Sequence, residues 1–183
     1  MIAQPAPQAS LHLVIGGSRS GKSRHAEALA SSSGLPVCYV ATYATHADDA
    51  EMRKRIEQHR ERRPAHWKTV ENRFDLQELM REHEGELLLV DCLTLWLSFL
   101  QVQQRSEEQI LAELEAALRM AGEKSGALIL VSNELGMGLV PVTPAGRDFR
   151  DLCGRANQLA AAHATRVDFM VAGLPLTLKG SRE

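Results

Sequence analysis

The chain has 183 residues, 44% of them hydrophobic, which suffices for one domain with a substantial core but not for two ordinary domains. Its formal net charge of -2 provides no general attraction to nucleic acid or to an anionic membrane, so we expect neither as a partner. The three cysteines show no CxxC spacing, which favours a reduced, cytoplasmic protein over a disulfide framework or a zinc knuckle. No stretch approaches the roughly 18 consecutive apolar residues of a membrane span.

The first ten residues contain two prolines and lack the basic flank and apolar run of a signal peptide. We expect residues 1–10 to form a loose extension and residues 11–183 to form a single domain.

Short apolar runs then alternate with longer helix-like segments. The apolar runs have the length of strands buried on both faces, and they lie at residues 11–15, 37–41, 87–90, 127–131 and 167–172. The segments between them predict helices over residues 22–30, 47–61, 74–84, 107–121 and 145–163. Such alternation is typical of an α/β fold with a doubly wound, mostly parallel sheet and helices on both faces. Ligands of these folds bind at the carboxyl ends of the strands.

The segment GGSRSGKS follows the first predicted strand, opens the first predicted helix and matches the GxxxxGK[ST] pattern. Its glycines allow backbone amides to surround a phosphate chain, and the helix amino terminus adds partial positive charge. Lys22 is then a catalytic residue that reaches the outer phosphates, and the Ser23 hydroxyl binds Mg²⁺. The motif predicts a P-loop NTPase-type fold whose nucleotide-binding residues are Gly16, Gly17, Ser18, Arg19, Ser20, Gly21, Lys22 and Ser23.

Asp91 directly follows the apolar run at residues 87–90, where P-loop enzymes place a second carboxylate near the magnesium ion. Aspartate is also a favoured helix cap, and the two roles are compatible. We therefore predict Ser23 and Asp91 as the metal-binding residues. Asn133 and Glu134 follow the next predicted strand and fit equally a place in the crevice or a polar turn.

The segment EMRKRIEQHRERRPAHWKTVE, at residues 51–71, is rich in basic side chains. Its composition alone predicts a solvated charged helix, on which a histidine such as His59 needs no functional explanation. The other histidines near the motifs, His25, His46 and His66, are interpreted as surface or packing residues.

Six blocks of sequence together resemble the adenosylcobinamide kinase/adenosylcobinamide-phosphate guanylyltransferase family of cobalamin biosynthesis. In chain order they are GGSRSGKSRHAEALA, YVAT, DAEMRKRIEQHRERRPAHWKTVE, LLLVDCLTLWL, VSNELGMGLVP and FRDLCGRANQLAA. The resemblance extends over residues 11–179, and several blocks beyond the P-loop are particular to this family.

The resemblance implies two reactions on one corrinoid. Adenosylcobinamide is phosphorylated by GTP or ATP, and GMP is then transferred from GTP to that phosphate, giving adenosylcobinamide-GDP and pyrophosphate. His59 matches the family's guanylylated histidine, and Gln58 stands where some members have a second histidine. The family's contacts with the guanine nucleotide map to Thr42, Tyr43, Arg62, Arg63 and Glu71.

The family is also a homotrimer, which implies a homo-oligomer here. The apolar run at residues 93–102, with Trp96 and Phe99, fits a subunit interface and a core helix equally. Two other functions share the P-loop. One is a simple small-molecule or nucleotide kinase that forms no covalent nucleotide, and the other is a non-catalytic P-loop switch that binds a partner.

Overall fold

The structure is a computed structural model that describes residues 10–43, 54, 57, 60–123 and 126–180. Most of the predicted helix at residues 47–61, including His59, lies outside the described residues, as does His46. The strands are β1 Ser10–Gly16, β2 Val37–Ala41, β3 Lys68–Glu71, β4 Leu87–Asp91, β5 Ala127–Asn133, β6 Arg166–Val171 and β7 Leu174–Lys179. The helices with defined bounds are α1 Lys22–Ser32, α2 Leu76–Glu82, α3 Leu93–Val102, α4 Glu107–Glu123 and α5 Pro144–His163.

The seven strands of the described residues form one sheet in the order β3-β2-β4-β5-β1-β6-β7. All neighbouring strands pair in parallel except β6 and β7, which form an antiparallel hairpin. One face packs against α1 through side chains such as Ala26 and Ala30, and the other face packs against α2 to α5. The predicted doubly wound, mostly parallel sheet with helices on both faces is confirmed.

Two strands escaped the sequence analysis because both lie at sheet edges and lack a continuous apolar run. On β3, Lys68 and Thr69 are exposed, and most of β7 is exposed. The first strand begins at Ser10, the last residue of the predicted loose extension. The division into residues 1–10 and 11–183 stays a prediction.

The apolar run at residues 93–102 is a core helix. Within α3, Trp96 is fully buried in the sheet-facing core, and its indole nitrogen donates a hydrogen bond to the Phe74 carbonyl over 2.7 Å. Phe99 stacks on the Phe74 ring with centroids 3.5 Å apart. Of the two interpretations, the structure therefore supports packing within the chain. No helix of the described residues has the length and apolar character needed to cross a membrane.

A fully buried carboxylate, Asp168 on β6, fastens α1 to the carboxyl-terminal hairpin. Its Oδ2 atom lies 2.8 Å from His12 Nε2, 3.1 Å from His25 Nε2 and 3.2 Å from Arg166 Nε. The Thr177 hydroxyl of β7 donates to Oδ1 over 2.8 Å. Burial raises the pKa of the Asp168 carboxyl, but hydrogen bonds from His25 and Thr177 and nearby positive charge outweigh burial and lower the pKa to about 2. Asp168 thereby joins three strands to the helix that follows the P-loop motif.

Replacement of Asp168 should lower stability at neutral pH. We expect Asp168→Asn to reduce the free energy of unfolding by about 3 kcal/mol, because removing one partner of a buried charge pair leaves the other unpaired. Thr177→Val, which removes one hydrogen bond, should cost about 1 kcal/mol. Urea unfolding at pH 7 measures both values, and an Asp168→Asn protein as stable as the parent would contradict this role.

The same carboxylate should also make the protein acid-sensitive. Its pKa is lower in the folded chain than the usual 3.8, so its stabilising contribution is complete above pH 3.8 and is lost as the pH falls toward 2. We expect the unfolding free energy of the parent to fall more steeply over this range than that of Asp168→Asn.

Candidate active site

The P-loop motif forms the turn between β1 and α1, as the sequence predicts. Gly21 adopts a φ of +94° immediately before the helix, a conformation that favours glycine. A Cβ atom at Gly16 would lie 2.6 Å from the Met170 carbonyl oxygen of β6, so no larger residue fits there. Ser18 and Arg19 are exposed at the tip of the turn. The first and last glycines of the motif thus shape the loop.

The hairpin of β6 and β7 supports the P-loop from the side. The Gly173 amide, in the hairpin turn, donates a hydrogen bond to the Ser20 carbonyl over 3.0 Å. The Gly173 Cα atom is so close that a Cβ atom added at Gly21 would lie 3.2 Å from it. Nothing in the sequence indicated this contact, since it joins residues more than 150 positions apart.

Lys22 and Ser20 present polar groups inside the loop. Lys22 is 7% exposed, and its Nζ donates to the Gly17 carbonyl over 2.7 Å. Burial lowers the pKa of the Lys22 ammonium, and the Cys92 thiol and the Asp91 carboxylate partly offset this effect. The buried Ser20 hydroxyl oxygen has no hydrogen-bond partner within the described part of the chain. A phosphate chain in the loop would supply acceptors for both side chains.

Asp91 ends β4 beside the same edge of the sheet. Tyr39, buried on β2, donates its hydroxyl to Asp91 Oδ2 over 2.8 Å. The Ser23 hydroxyl and the Asp91 carboxylate are hard oxygen donors of the kind that Mg²⁺ prefers. With Lys22 close enough to Asp91 for their charges to interact, the residues present fit a magnesium-nucleotide site.

Thr42 joins the ends of β2 and β4. Its hydroxyl donates to the Cys92 carbonyl and accepts from the Cys92 amide, each over 2.7 Å, and its own amide donates to the Asp91 carbonyl over 3.2 Å. The side chain is fully buried. Because the single hydroxyl proton is already donated, the structure gives Thr42 a role in fixing the backbone beside Asp91.

Tyr43, Glu71 and Arg60 form a second polar group at the ends of β2 and β3. The Tyr43 hydroxyl donates to Glu71 Oε1 over 2.6 Å, and Arg60 Nη2 donates to both Glu71 oxygens at 2.8 and 2.9 Å. Burial raises the pKa of Glu71, but these hydrogen bonds outweigh it and hold the pKa below its usual value. The ionised Glu71 carboxylate thus accepts hydrogen bonds from both Tyr43 and Arg60. This brings together two predicted nucleotide contacts, Tyr43 and Glu71.

The predicted arginines face different partners. Arg62 Nη2 lies 3.3 Å from Oε1 of Glu27, a buried residue of α1 that the sequence analysis did not single out. Burial raises the pKa of Glu27, and the charge of Arg62 partly offsets this rise. The Arg63 guanidinium lies 3.6 Å above the centre of the Tyr39 ring. Its Nε and Nη1 atoms are buried and have no hydrogen-bond partner among the described residues.

Glu27 and Tyr39 are the residues that the sequence analysis missed in this region. Glu27 lies four residues after Ser23, on the same side of α1, and that spacing was the available signal. Tyr39 is a polar-tipped side chain within an apolar run, which single-sequence reasoning treats as core.

The polar residues after β5 form a turn against the P-loop. The Glu134 carboxylate accepts from the Gly136 amide over 2.6 Å, and the Glu134 amide donates to the Gly16 carbonyl over 2.9 Å. The Asn133 amide donates to the Thr94 hydroxyl over 2.9 Å. The polar-turn interpretation fits Glu134, whereas Asn133 is the last residue of β5. Both residues border the candidate site.

His12, His25 and Asp168 form a separate group whose potential metal-ligand atoms lie within 4.8 Å of one another. The Arg166 guanidinium contacts the same carboxylate oxygen as the two histidines and already compensates its charge. We therefore interpret this group as a structural support of α1.

Comparisons with known proteins agree with the fold and the site. An ATPase from a bacterial type III secretion system matches the structure with a TM-score of 0.56 at 10% identity, covering 93% of this chain and 57% of the ATPase, which supports the P-loop NTPase fold. The bifunctional adenosylcobalamin biosynthesis protein CobP of Pseudomonas aeruginosa is 49% identical over 170 residues, or 92% of this chain and 96% of the relative. The corresponding protein CobU of Escherichia coli K12 is 40% identical over 181 residues, or 91% of this chain and 98% of the relative.

The sequence profile of the family described as cobinamide kinase / cobinamide phosphate guanyltransferase matches residues 12–178. This range includes the P-loop, Asp91, the basic segment at residues 51–71 and all but the last residue of the carboxyl-terminal hairpin. The chain belongs to the cobinamide kinase / cobinamide phosphate guanyltransferase family.

Proposed function

We propose that this enzyme phosphorylates adenosylcobinamide with GTP or ATP and then transfers GMP from GTP to the new phosphate through a guanylylated His59. The observation that supports this most is the position of Arg63. Its guanidinium has buried donors with no partner among the described residues, and it lies beside Tyr39, whose hydroxyl contacts Asp91 at the P-loop edge of the sheet. An anion bound there would lie near the P-loop edge of the sheet and near residues 60–63, which follow His59 in the chain. The free, buried cysteines accord with a cytoplasmic location.

In the kinase step, the P-loop binds the triphosphate and orients its terminal phosphoryl group toward the aminopropanol hydroxyl of adenosylcobinamide. Lys22 stabilises negative charge on the transferred group, since its ammonium is buried and directed into the loop. Ser23 and Asp91 would hold Mg²⁺, which when bound neutralises phosphate charge.

In the guanylyl step, a neutral imidazole nitrogen of His59 attacks the α-phosphorus of GTP. A nitrogen–phosphorus bond forms, the bond to the bridging oxygen breaks, and pyrophosphate leaves. An oxygen of adenosylcobinamide phosphate then attacks the same phosphorus, which breaks the nitrogen–phosphorus bond and restores the histidine. Arg60, which follows His59 in the chain, is bound by Glu71 at the end of β3.

Substitution of the P-loop lysine should abolish the first reaction. We expect Lys22→Ala to lower the rate of adenosylcobinamide phosphorylation by far more than tenfold, because the positive charge is lost where the transferred phosphoryl group develops negative charge. Lys68→Ala is the matched control. Lys68 is an exposed lysine at the amino-terminal end of β3, and it pairs with Glu86. A Lys22→Ala protein within about tenfold of the parent, or roughly 1.4 kcal/mol of barrier, would remove Lys22 from the mechanism.

The covalent intermediate should be detectable without any corrinoid. Protein mixed with Mg²⁺ and GTP labelled in the α-phosphate should retain the label, whereas γ-label should not remain. A nitrogen–phosphorus bond is lost in acid and survives alkali, which distinguishes it from a serine or aspartyl ester. His59→Asn should form no adduct and no adenosylcobinamide-GDP, while it still phosphorylates adenosylcobinamide because Lys22 is unchanged.

His66→Asn is the control for this experiment, because His66 is an exposed histidine in the same segment. Label that persists on His59→Asn, or that maps to His66 in the parent, would remove His59 from the mechanism, and a parent that takes up no label would be a simple kinase. Slow hydrolysis with no turnover of corrinoid would instead indicate a non-catalytic switch.

We propose further that the active protein is a homo-oligomer, with a trimer as the form that the family resemblance implies. Strand β7 is an edge strand on which alternate residues, Leu174, Leu176 and Leu178, are 71%, 47% and 62% exposed. Alternate residues of a strand share one face, so these leucines form an apolar stripe on an open edge. A second copy of the chain is the occupant that would remove this stripe from water.

A charge within the stripe should disrupt assembly. We expect Leu176→Glu to shift the mass measured by size-exclusion chromatography with light scattering from oligomer to monomer, because association would bury an unpaired carboxylate. Thr69→Glu adds the same charge to the other edge strand, β3, and should leave the mass unchanged. A monomeric parent, or an oligomeric Leu176→Glu protein, would exclude this interface.

A further inference from the structure

We propose that Tyr39 is a positioning residue that couples the two halves of the nucleotide site: its hydroxyl orients the metal-binding carboxylate of Asp91, and its ring supports the phosphate-binding guanidinium of Arg63. This inference rests on the proposed function. It concerns a residue within an apolar strand, and it assigns separate tasks to the two ends of one side chain.

The hydroxyl end restrains Asp91. Tyr39 is 2% exposed, and its hydroxyl donates to Asp91 Oδ2 over 2.8 Å. The backbone of Asp91 is held independently by Thr42. With the backbone and one oxygen restrained, the carboxylate is prevented from rotating freely before the metal ion binds.

The ring end supports Arg63. The guanidinium carbon lies 3.6 Å from the ring centroid, well within the range in which a cation is attracted to an aromatic face. A carboxylate at this position would occupy the donor atoms of Arg63 with hydrogen bonds, but the ring attracts the charge and occupies none. Nε and Nη1 therefore stay buried and available, with no partner in the described ranges. Each of these charged donors matches an oxygen of a phosphate group.

The contact with Asp91 and the contact with Arg63 can be tested separately by different substitutions of Tyr39. Tyr39→Phe removes the hydroxyl and keeps the ring, so it should weaken metal binding but not metal-free nucleotide binding. Tyr39→Leu removes both ends and should weaken both. If Tyr39 only fills the core, Tyr39→Phe should bind metal and nucleotide as the parent does, whatever its thermal stability.

Binding measurements test this without relying on turnover. The affinity for Mn²⁺ would be measured by electron paramagnetic resonance in the presence of a non-hydrolysable GTP analogue, and the affinity for a fluorescent GTP would be measured in EDTA. We expect Tyr39→Phe to weaken Mn²⁺ binding about tenfold, the lower end of the loss seen when a partner of a metal ligand is removed. Its metal-free nucleotide affinity should stay within about twofold of the parent, and Tyr39→Leu should lose roughly tenfold in that affinity as well.

Further variants keep the test decisive if a Tyr39 variant is unstable. Arg63→Gln leaves Tyr39 and Asp91 intact, so it should weaken metal-free nucleotide binding while Mn²⁺ affinity stays near that of the parent. Asp91→Asn should show the opposite pattern. Lys68→Ala should change neither. Circular dichroism and thermal melts establish that each variant is folded.

Unchanged Mn²⁺ affinity in folded Tyr39→Phe would overturn the role of the hydroxyl, and unchanged nucleotide affinity in Arg63→Gln would overturn the role of the ring. Failure of the proposed function has a different signature. In that case the parent would form no phosphorylated adenosylcobinamide, whereas the two binding measurements would still report on Tyr39.

Discussion

The site depends first on the parallel register of four neighbouring strands. Gly16 of β1 pairs with Asn133 of β5, while Asp91 of β4 pairs with Val131 of β5 and with Ala41 of β2. Four strands therefore end at one edge of the sheet, with the P-loop and the carboxylate on it. The Thr42 hydroxyl, which binds both backbone groups of Cys92, preserves this alignment where the strands stop.

Polar groups at this edge of the sheet are of two kinds: some pair with other side chains, and others are buried without a hydrogen-bond partner among the described residues. Glu71, which is half-buried, is paired with Arg60 and hydrogen-bonded by Tyr43, so its ionised carboxylate is held in place. The Ser20 hydroxyl and two nitrogens of Arg63 have no partner among the described residues. Leaving buried donors unpaired costs free energy, and an anionic ligand is the simplest way to recover it. The paired groups therefore hold the site in shape, whereas the unpartnered groups are the ones expected to bind the nucleotide phosphates.

The supports of the P-loop come from distant parts of the chain. Asp168 attaches α1 to β6 and β7, and Gly173 hydrogen-bonds the loop itself. The edge of the carboxyl-terminal hairpin also displays the leucine stripe that we propose as a subunit interface. Assembly and nucleotide binding would then share one structural element, because the hairpin that carries the stripe also supports the phosphate-binding loop.

The sequence by itself determined the five central strands, the helices α1, α2, α4 and α5, the P-loop and the position of Asp91, because hydrophobic periodicity and the glycine-rich motif are local properties. It also predicted Tyr43 and Glu71 as nucleotide contacts, but only through the family resemblance. The tertiary structure decided the rest. The edge strands β3 and β7 depend on pairing rather than on apolar runs, and the tasks of Tyr39 and Glu27 arise from side chains far away in sequence. Contacts between residues far apart in the chain produce no local sequence pattern, so they cannot be predicted from a single sequence.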